Sequence, residues 1–317
     1  MRLVFFGSSP FGLPTLERLV RAHEVVAIVT QPDRPAGRGK GMTPTPVGVW
    51  AHEHAPGVPV IKPESVNEPG VVADLRGLAA DAWVVIAFGQ KLSRALLDGV
   101  FAINLHASRL PRWRGAAPIN AAMLAGDPVT GNSVITLADR MDAGAVLAMS
   151  EMPIPPTATA GEMHDALAGD GPALIERVLR GHAQGTVEFR EQDESRVTIA
   201  PKLSRADTWI DFSRDADSCR ARINALSPRP GVAVKIGGVS VKLLRAGPVP
   251  ESPAGEGVNG SLVDPEQGTV RCGTGLVQIL EVQPAGKRAM AWRDFARGFR
   301  PEPGTELVPE VLPGHDP

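Results

Sequence analysis

The chain has 317 residues, with 33 Lys/Arg against 35 Asp/Glu and a formal net charge of −2. That balance gives no global basic field for nucleic acid, and no apolar run approaches the roughly 18 residues of a membrane-spanning helix. With 43% hydrophobic and 21% charged residues the chain can bury a sizeable core, which argues against disorder, and its length suits two domains.

Arg2–Phe6 reads as a buried strand, broken by Gly7-Ser8-Ser9-Pro10, and residues 11–22 follow with apolar positions at helical spacing. Further strands are expected at 25–30, 58–61, 82–87 and 101–105, with helices at 46–55, 67–79 and 92–98. This alternation predicts an α/β domain, a doubly wound and mostly parallel sheet of Rossmann-like type. Residues 133–137 and 146–149 look like added edge strands. Thr159 to Glu162 fits a capping box that opens a helix over 161–182 and closes the domain.

The first domain is placed at 1–184 and a polar linker at 185–206, with a short strand-like Thr186–Phe189 inside it. The second domain, 207–317, opens with a helix near 215–226. Gly237-Gly238 between two alternating runs predicts a β-hairpin, and short strands near 261–263, 269–272 and 275–282 suggest a small OB-like β-barrel. Residues 205–300 carry 14 Lys/Arg against 10 Asp/Glu, whereas 301–317 carry four acids and no base. A mildly basic second domain suits a polyanionic partner, and an ordinary solvated surface gives the same count.

Several motifs carry little. Gly7-Ser8-Ser9-Pro10-Phe11-Gly12 has Ser9 where a dinucleotide fingerprint needs glycine, and reads better as a turn between strand and helix. Lys40 precedes Gly41, so residues 37–41 are no Walker loop. His52 and His54 lie two apart on a helix and share no face. Cys219 and Cys272 make neither a disulfide framework nor zinc spacing, and no metal is expected. The N-terminus lacks the regions of a signal peptide, so a reducing cytoplasm is the expected location.

Residues 101–118 are the informative segment. Asn104 and His106 lie two apart at the end of a strand, so both side chains share one face. In an open α/β sheet the carboxyl ends of strands line the ligand crevice. An amide beside an imidazole suits carbonyl chemistry, since the one can stabilise an oxyanion and the other can donate to it or move a proton. Asp142, in the turn after another strand, would orient the imidazole. Taken singly, His106 reads as well as a satisfied core histidine and Asp142 as a turn residue.

The chain resembles the methionyl-tRNA formyltransferases, within the folate-dependent formyltransferase family. The resemblance is carried by Gln31-Pro32-Asp33-Arg34-Pro35-Ala36-Gly37-Arg38-Gly39-Lys40, by Asn104-Leu105-His106-Ala107-Ser108, and by Leu110-Pro111-Arg112-Trp113-Arg114-Gly115-Ala116-Ala117-Pro118-Ile119. It extends to Met141-Asp142-Ala143-Gly144 and to Gln283-Pro284-Ala285-Gly286-Lys287-Arg288-Ala289-Met290. It implies a Rossmann-like catalytic domain and an OB-like domain that binds tRNA. The implied reaction moves the formyl group of 10-formyltetrahydrofolate to the amino group of initiator methionyl-tRNA, releasing tetrahydrofolate.

By position Asn104, His106 and Asp142 match the catalytic trio, and Ser108, Arg109, Leu110 and Pro111 match the folate-binding stretch, with Phe88 and Gly89 beside it. Arg34, Arg38, Lys40, Arg112, Arg114, Lys287 and Arg288 are the expected tRNA contacts. Lys235, Lys242 and Arg245 would add to the basic face of the second domain, and loop 31–45 is expected to be poorly ordered without RNA. The chain departs from the family pattern at Arg109, Phe88, Ala138 and Ala145. No membrane partner is expected, and a monomer is the simplest assembly. The competing readings are another 10-formyltetrahydrofolate-dependent transferase or hydrolase acting on a small amine, a nicotinamide-dependent oxidoreductase, and a non-catalytic RNA-binding module, which would leave Asn104, His106 and Asp142 unexplained.

Overall fold

The computed structural model describes residues 1–36, 41–249 and 256–310. The chain divides into two compact units. The first comprises Met1–Gly115, Gly131–Met152 and His164–Ile199, and the second comprises Ala116–Thr130, Pro153–Met163 and Ala200–Pro317. Among the described residues no helix is long and apolar enough to cross a membrane.

The sheet of the first unit contains β1 (Arg2–Gly7), β2 (Glu24–Val29), β3 (Val60–Ile61), β4 (Ala82–Ile86), β5 (Ala102–His106), β6 (Ser133–Thr136) and β7 (Val146–Met149). Their order is β7-β6-β5-β4-β1-β2-β3. The five strands from β3 to β5 run parallel, and β6 and β7 add antiparallel pairings at one edge. β4 is buried along its whole length and β1 at every position after Arg2. That is the signature of a parallel sheet covered on both faces. Chain order reverses at β1, between β2 on one side and β4 on the other, so the crevice beyond the β1 and β4 carboxyl ends is the topological switch point.

The turn after β1 is zipped shut by small polar groups. Ser8 Oγ donates to the Phe88 carbonyl at 2.9 Å and accepts from the Gln31 amide at 3.1 Å. Ser9 caps the short 3-10 turn Pro10–Gly12 by accepting from Phe11 N, and helix Leu13–Ala22 follows. A Cβ on Gly7 would lie 2.6 Å from the Phe5 ring, so this glycine serves close packing within a strand-to-helix turn.

Helix Ala160–Ala183 begins in the second unit and continues into the first. The expected capping box opens it, with Thr159 N donating to Glu162 Oε2 and Glu162 N donating to Thr159 Oγ1. At Gly171 a Cβ would meet the Leu105 side chain at 2.6 Å, so glycine lets this helix seat against β5. The short strand expected at Thr186–Phe189 does not form. Only Arg190 pairs, as an isolated bridge to Val146, and Phe189 is exposed, because its segment lacks a neighbour that would bury one face.

The second unit is an antiparallel sheet of β8 (Val232–Ile236), β9 (Val239–Pro248), β10 (Leu262–Asp264), β11 (Thr269–Arg271), β12 (Leu276–Pro284) and β13 (Leu307–Pro309). The order is β10-β11-β12-β9-β8-β13. Ser261 bridges Glu306, and Leu307 N donates to Gly260 O at 2.8 Å, so the two ends of this order meet and the sheet curls into a small OB-like barrel. Gly237 and Gly238, at φ 52° and 83°, make the predicted two-residue hairpin turn. The barrel core holds Val234, Val241, Leu243, Val277, Ile279 and Trp292. Helices Ala216–Ala225 and Trp292–Phe299 contribute Cys219, Ile223, Phe295 and Ala296 to the same core. The second of these helices and Pro118–Leu124 are elements that hydrophobic periodicity alone did not reveal.

Candidate active site

β5 is hydrogen-bonded on both sides, in register with Val85 of β4 at Asn104 and with Ile135 and Ser133 of β6 at Asn104 and His106. A strand so framed fixes which face each side chain takes. Ile103 and Leu105 are buried, while Asn104 keeps partial exposure. His106 closes the strand with its ring only 7% exposed. His106 Nε2 lies 2.8 Å from the Trp113 carbonyl. A carbonyl only accepts, so Nε2 carries the ring proton in this contact.

Nδ1 of the same ring faces Asp142 Oδ2 at 3.6 Å, within ion-pair reach and longer than a hydrogen bond. Asp142 lies in the connection between β6 and β7, in the left-handed region at φ 55°. Asp tolerates that region better than most side chains. Its Oδ2 also accepts from the Gly115 amide at 2.9 Å. Gly144 lets the connection turn back on β6, because a Cβ there would lie 1.7 Å from the Thr136 carbonyl.

The loop after β5 is tightly bonded. Ser108 Oγ donates to Arg112 O at 2.7 Å, Ser133 Oγ donates to Ser108 O at 2.7 Å, and Leu110 N donates to Ser133 Oγ at 3.1 Å. The Leu110–Pro111 bond is cis. Ser108 and Leu110 are buried, Pro111 is half-buried, and Arg109 is exposed and pairs with Glu151 at 2.8 Å. Ala87-Phe88-Gly89 follows β4, with positive φ at Ala87 and Gly89. The Phe88 ring is buried edge-on against Phe6 at 5.5 Å, so the side chain expected to meet folate is a core residue and only backbone remains to meet a ligand at this position.

The candidate RNA-contacting residues separate into three kinds. Arg38 and Lys40 lie outside the described residues. Arg34 is exposed, pairs with Glu64 at 2.6 Å, and begins a strand, Arg34–Ala36, that pairs antiparallel with Gly41–Thr43, so the described flanks of the loop expected to lack order are themselves paired. Arg112 is exposed and stacks over Trp113 at 5.1 Å. Arg114 corrects the expectation of a surface contact: its side chain is 6% exposed and bonds Glu194 at 2.8 Å and Gln192. Its guanidinium holds the Glu194 carboxyl below the usual range. A buried cation already engaged by a carboxylate has little left to offer a phosphate.

In the second unit Lys287 and Arg288 are exposed on the turn after β12, shaped by Gly286 at φ 74°. Lys235 and Lys242 are exposed on β8 and β9. A groove of about 440 Å³ near them is lined by Arg205, Lys242, Ser240, Gln283 and Glu310. Arg245 departs from the expected basic face, since it bonds Glu162 at 2.7 Å and 2.9 Å and faces Glu281 at 3.6 Å.

Three partners in this site carry no signal in the sequence. Trp113 O and Gly115 N are backbone groups, and Gln192 sits in a polar stretch that looks like linker. Only the fold brings them to His106 and Asp142.

Comparison with known proteins bears on the fold and the family. The formyl transferase model matches residues 1–179, and the formyl transferase C-terminal domain model matches residues 202–300. A methionyl-tRNA formyltransferase of Methylobacterium sp. (strain 4-46) is 41% identical over 97% of this chain and 99% of its own. That of Symbiobacterium thermophilum is 40% identical over 100% of this chain and 98% of its own. Among solved structures, WlaRD, a sugar 3N-formyl transferase crystallised with dTDP and 5-N-formyl-THF, superposes with a TM-score of 0.68 at 11% identity, covering 91% of this chain and 99% of that one. HypX from Aquifex aeolicus, in complex with tetrahydrofolic acid, gives a TM-score of 0.60 at 16% identity over 94% of this chain, which spans 47% of HypX. The low identity of these two structures restricts them to evidence of fold. The near-full-length matches reach further, and by them the chain belongs to the methionyl-tRNA formyltransferase family of formyl transferases.

Proposed function

We propose that this chain transfers the formyl group of 10-formyltetrahydrofolate to the α-amine of methionine esterified to initiator tRNA, with Asn104, His106 and Asp142 as its catalytic residues. The observation that carries the reading is the meeting of His106 and Asp142 at 3.6 Å beyond the strand that bears Asn104. The uncharged amine attacks the formyl carbon, and the carbonyl electrons move to oxygen. Asn104 and His106 are the donors for that oxygen, the imidazole exchanging its Trp113 contact for the reacting group. When the adduct collapses, the bond from carbon to N10 breaks. The proton lost by the amine passes to N10, through His106 or a water held by Asp142. Asp142 keeps the imidazole turned toward this centre.

Folate is assigned to the loop Ser108, Arg109, Leu110 and Pro111 together with the backbone at Phe88 and Gly89. The tRNA is assigned to Arg34, Arg38, Lys40, Arg112, Lys287 and Arg288. The catalytic domain is placed at 1–184, the linker at 185–206 and the tRNA-binding domain at 207–317. Arg34 and Arg112 in the first unit and Lys287 and Arg288 in the second are exposed, which favours a large polyanionic substrate over a small amine. A cytoplasmic monomer serving translation initiation fits this reading. Incubation with 10-formyltetrahydrofolate and initiator Met-tRNA should yield formylmethionyl-tRNA. Formylation of a free sugar amine in its place, with Met-tRNA untouched, would shift the assignment to the small-amine transferases.

A further inference from the structure

We propose that Gln192 is a positioning residue for Asp142, fastening the acidic connection so that its carboxylate faces His106. The inference rests on the reading of Asp142 given above. The connection between β6 and β7 is exposed from Ala138 to Met141, and Asp142 follows in a left-handed conformation. A strained residue in an exposed connection keeps its place only where neighbours hold it there. The Gln192 carboxamide nitrogen donates to the Asp142 carbonyl at 2.7 Å and to the Gly144 carbonyl at 2.8 Å. These two bonds clamp both sides of Ala143.

The amide has only one workable orientation. Its Oε1 accepts from Arg114 Nε at 3.0 Å and from Nη2 at 2.8 Å. A guanidinium only donates, so the oxygen must face Arg114 and the NH2 must face the loop. Arg114 is itself buried and braced by Glu194. Its neighbours in sequence complete the arrangement. The Trp113 carbonyl meets His106 Nε2, and the Gly115 amide donates to Asp142 Oδ2. One three-residue segment therefore touches the histidine and the aspartate, and Gln192 ties the side chain of its middle residue to the acidic loop. The segment carrying Gln192 is anchored independently by Arg190, which exchanges two backbone bonds with Val146 at 2.8 Å and 3.0 Å. Gln192 is thus a strut between a braced cation and the loop.

The test compares Gln192→Leu, which removes both donors, with Gln192→Glu, which keeps the shape and the Arg114 contact but turns acceptors toward two carbonyls. Circular dichroism melting identifies folded variants. Each variant is expected to lower single-turnover formyl transfer about 10- to 100-fold, the scale of a small misplacement of a reacting group, with KM for either substrate changed less than about threefold. The same Gln192→Leu change in an Asp142→Asn background should cost less than about twofold more, because a residue acting through Asp142 has nothing further to lose once the carboxylate is gone. Equal losses in both backgrounds, or a Gln192→Leu rate within about twofold of wild type while Asp142→Asn is impaired, would overturn the positioning role alone. An Asp142→Asn enzyme as fast as wild type would overturn both that role and the catalytic reading of Asp142.

Discussion

The two halves of the candidate site are held in place by different means. Asn104 and His106 ride on a strand bonded to neighbours on both sides, so backbone pairing sets their direction. Asp142 hangs in a connection whose shape depends on Gly115 N, Gln192 and the tight turn at Gly144. A strand-borne residue can be replaced without disturbing its frame, whereas a loop-borne one shares its fate with everything that shapes the loop. Substitutions in the first half should therefore separate chemistry from folding, and those in the second should mix them.

The largest effect is expected on the strand. Asn104→Ala and His106→Ala should each lower turnover at saturating substrates by about 10²–10³, the usual cost of a lost oxyanion donor. The thermal midpoint of Asn104→Ala should stay near wild type, since the ladder around β5 involves no side chain, whereas His106→Ala empties a buried position and removes the Trp113 contact, so it should melt modestly earlier. A near-normal rate in both purified variants would remove them from the chemistry. A midpoint that drops in step with the rate would show that the strand is less self-sufficient than its pairing suggests.

On the loop side, Gly144→Ala sets a Cβ against the Thr136 carbonyl at 1.7 Å, a distance that forces backbone to move. Turnover should fall about tenfold or more as Asp142 leaves its place. Unlike Asn104→Ala, this one should also melt earlier. Gly144→Ala with wild-type rate and stability would mean that the connection tolerates another shape, and the contrast between the halves would lose its ground.

This contrast also explains how much could be read in advance. Period-two spacing and the end of an apolar strand put Asn104 and His106 together, and a crevice at the carboxyl ends of the strands follows from the alternation of elements. Asp142 could be named from the family motif, but its partner Gly115 N and the Trp113 O partner of His106 could not, because both belong to the backbone and almost any residue type supplies them. Phe88 and Arg114 went astray for a related reason. Motif position says which residues lie near a site, while burial decides whether a ring or a guanidinium points into it. The hairpin at Gly237-Gly238 and the cap at Thr159 were legible because each is a local device that needs no distant partner. The closing of the barrel through Ser261 and Glu306 is a long-range pairing without such a local mark.

In the second unit the same contrast separates tied cations from displayed ones. Lys287 and Arg288 stand on an exposed turn, and Arg245 is locked to Glu162. Replacing Lys287 and Arg288 with Ala should weaken tRNA binding at low salt and make the salt dependence shallower by about one unit of log–log slope per lost phosphate contact. Filter binding across a salt series measures this directly. Arg245→Met should leave the slope unchanged. An equal change in slope for Arg245→Met would place that residue on the RNA despite its carboxylate partners.

The smallest effect distinguishes Arg245 by what it does do. Its guanidinium, helped by the Thr159 cap, lowers the Glu162 carboxyl from 4.5 to about 2. A depressed folded-state value means stability that is fully present above the unfolded value near 4.5 and is lost as pH falls toward 2. The full shift would correspond to roughly 3 kcal/mol, but the Glu162 side chain is 52% exposed, and solvent screening reduces the contribution to about 1 kcal/mol. Urea unfolding of wild type and Arg245→Met should therefore differ by about that amount at pH 7, with the gap shrinking as the pH is taken down to 2. A gap that stays constant across this range would assign the loss to the packing of the Arg245 side-chain stem rather than to its charge.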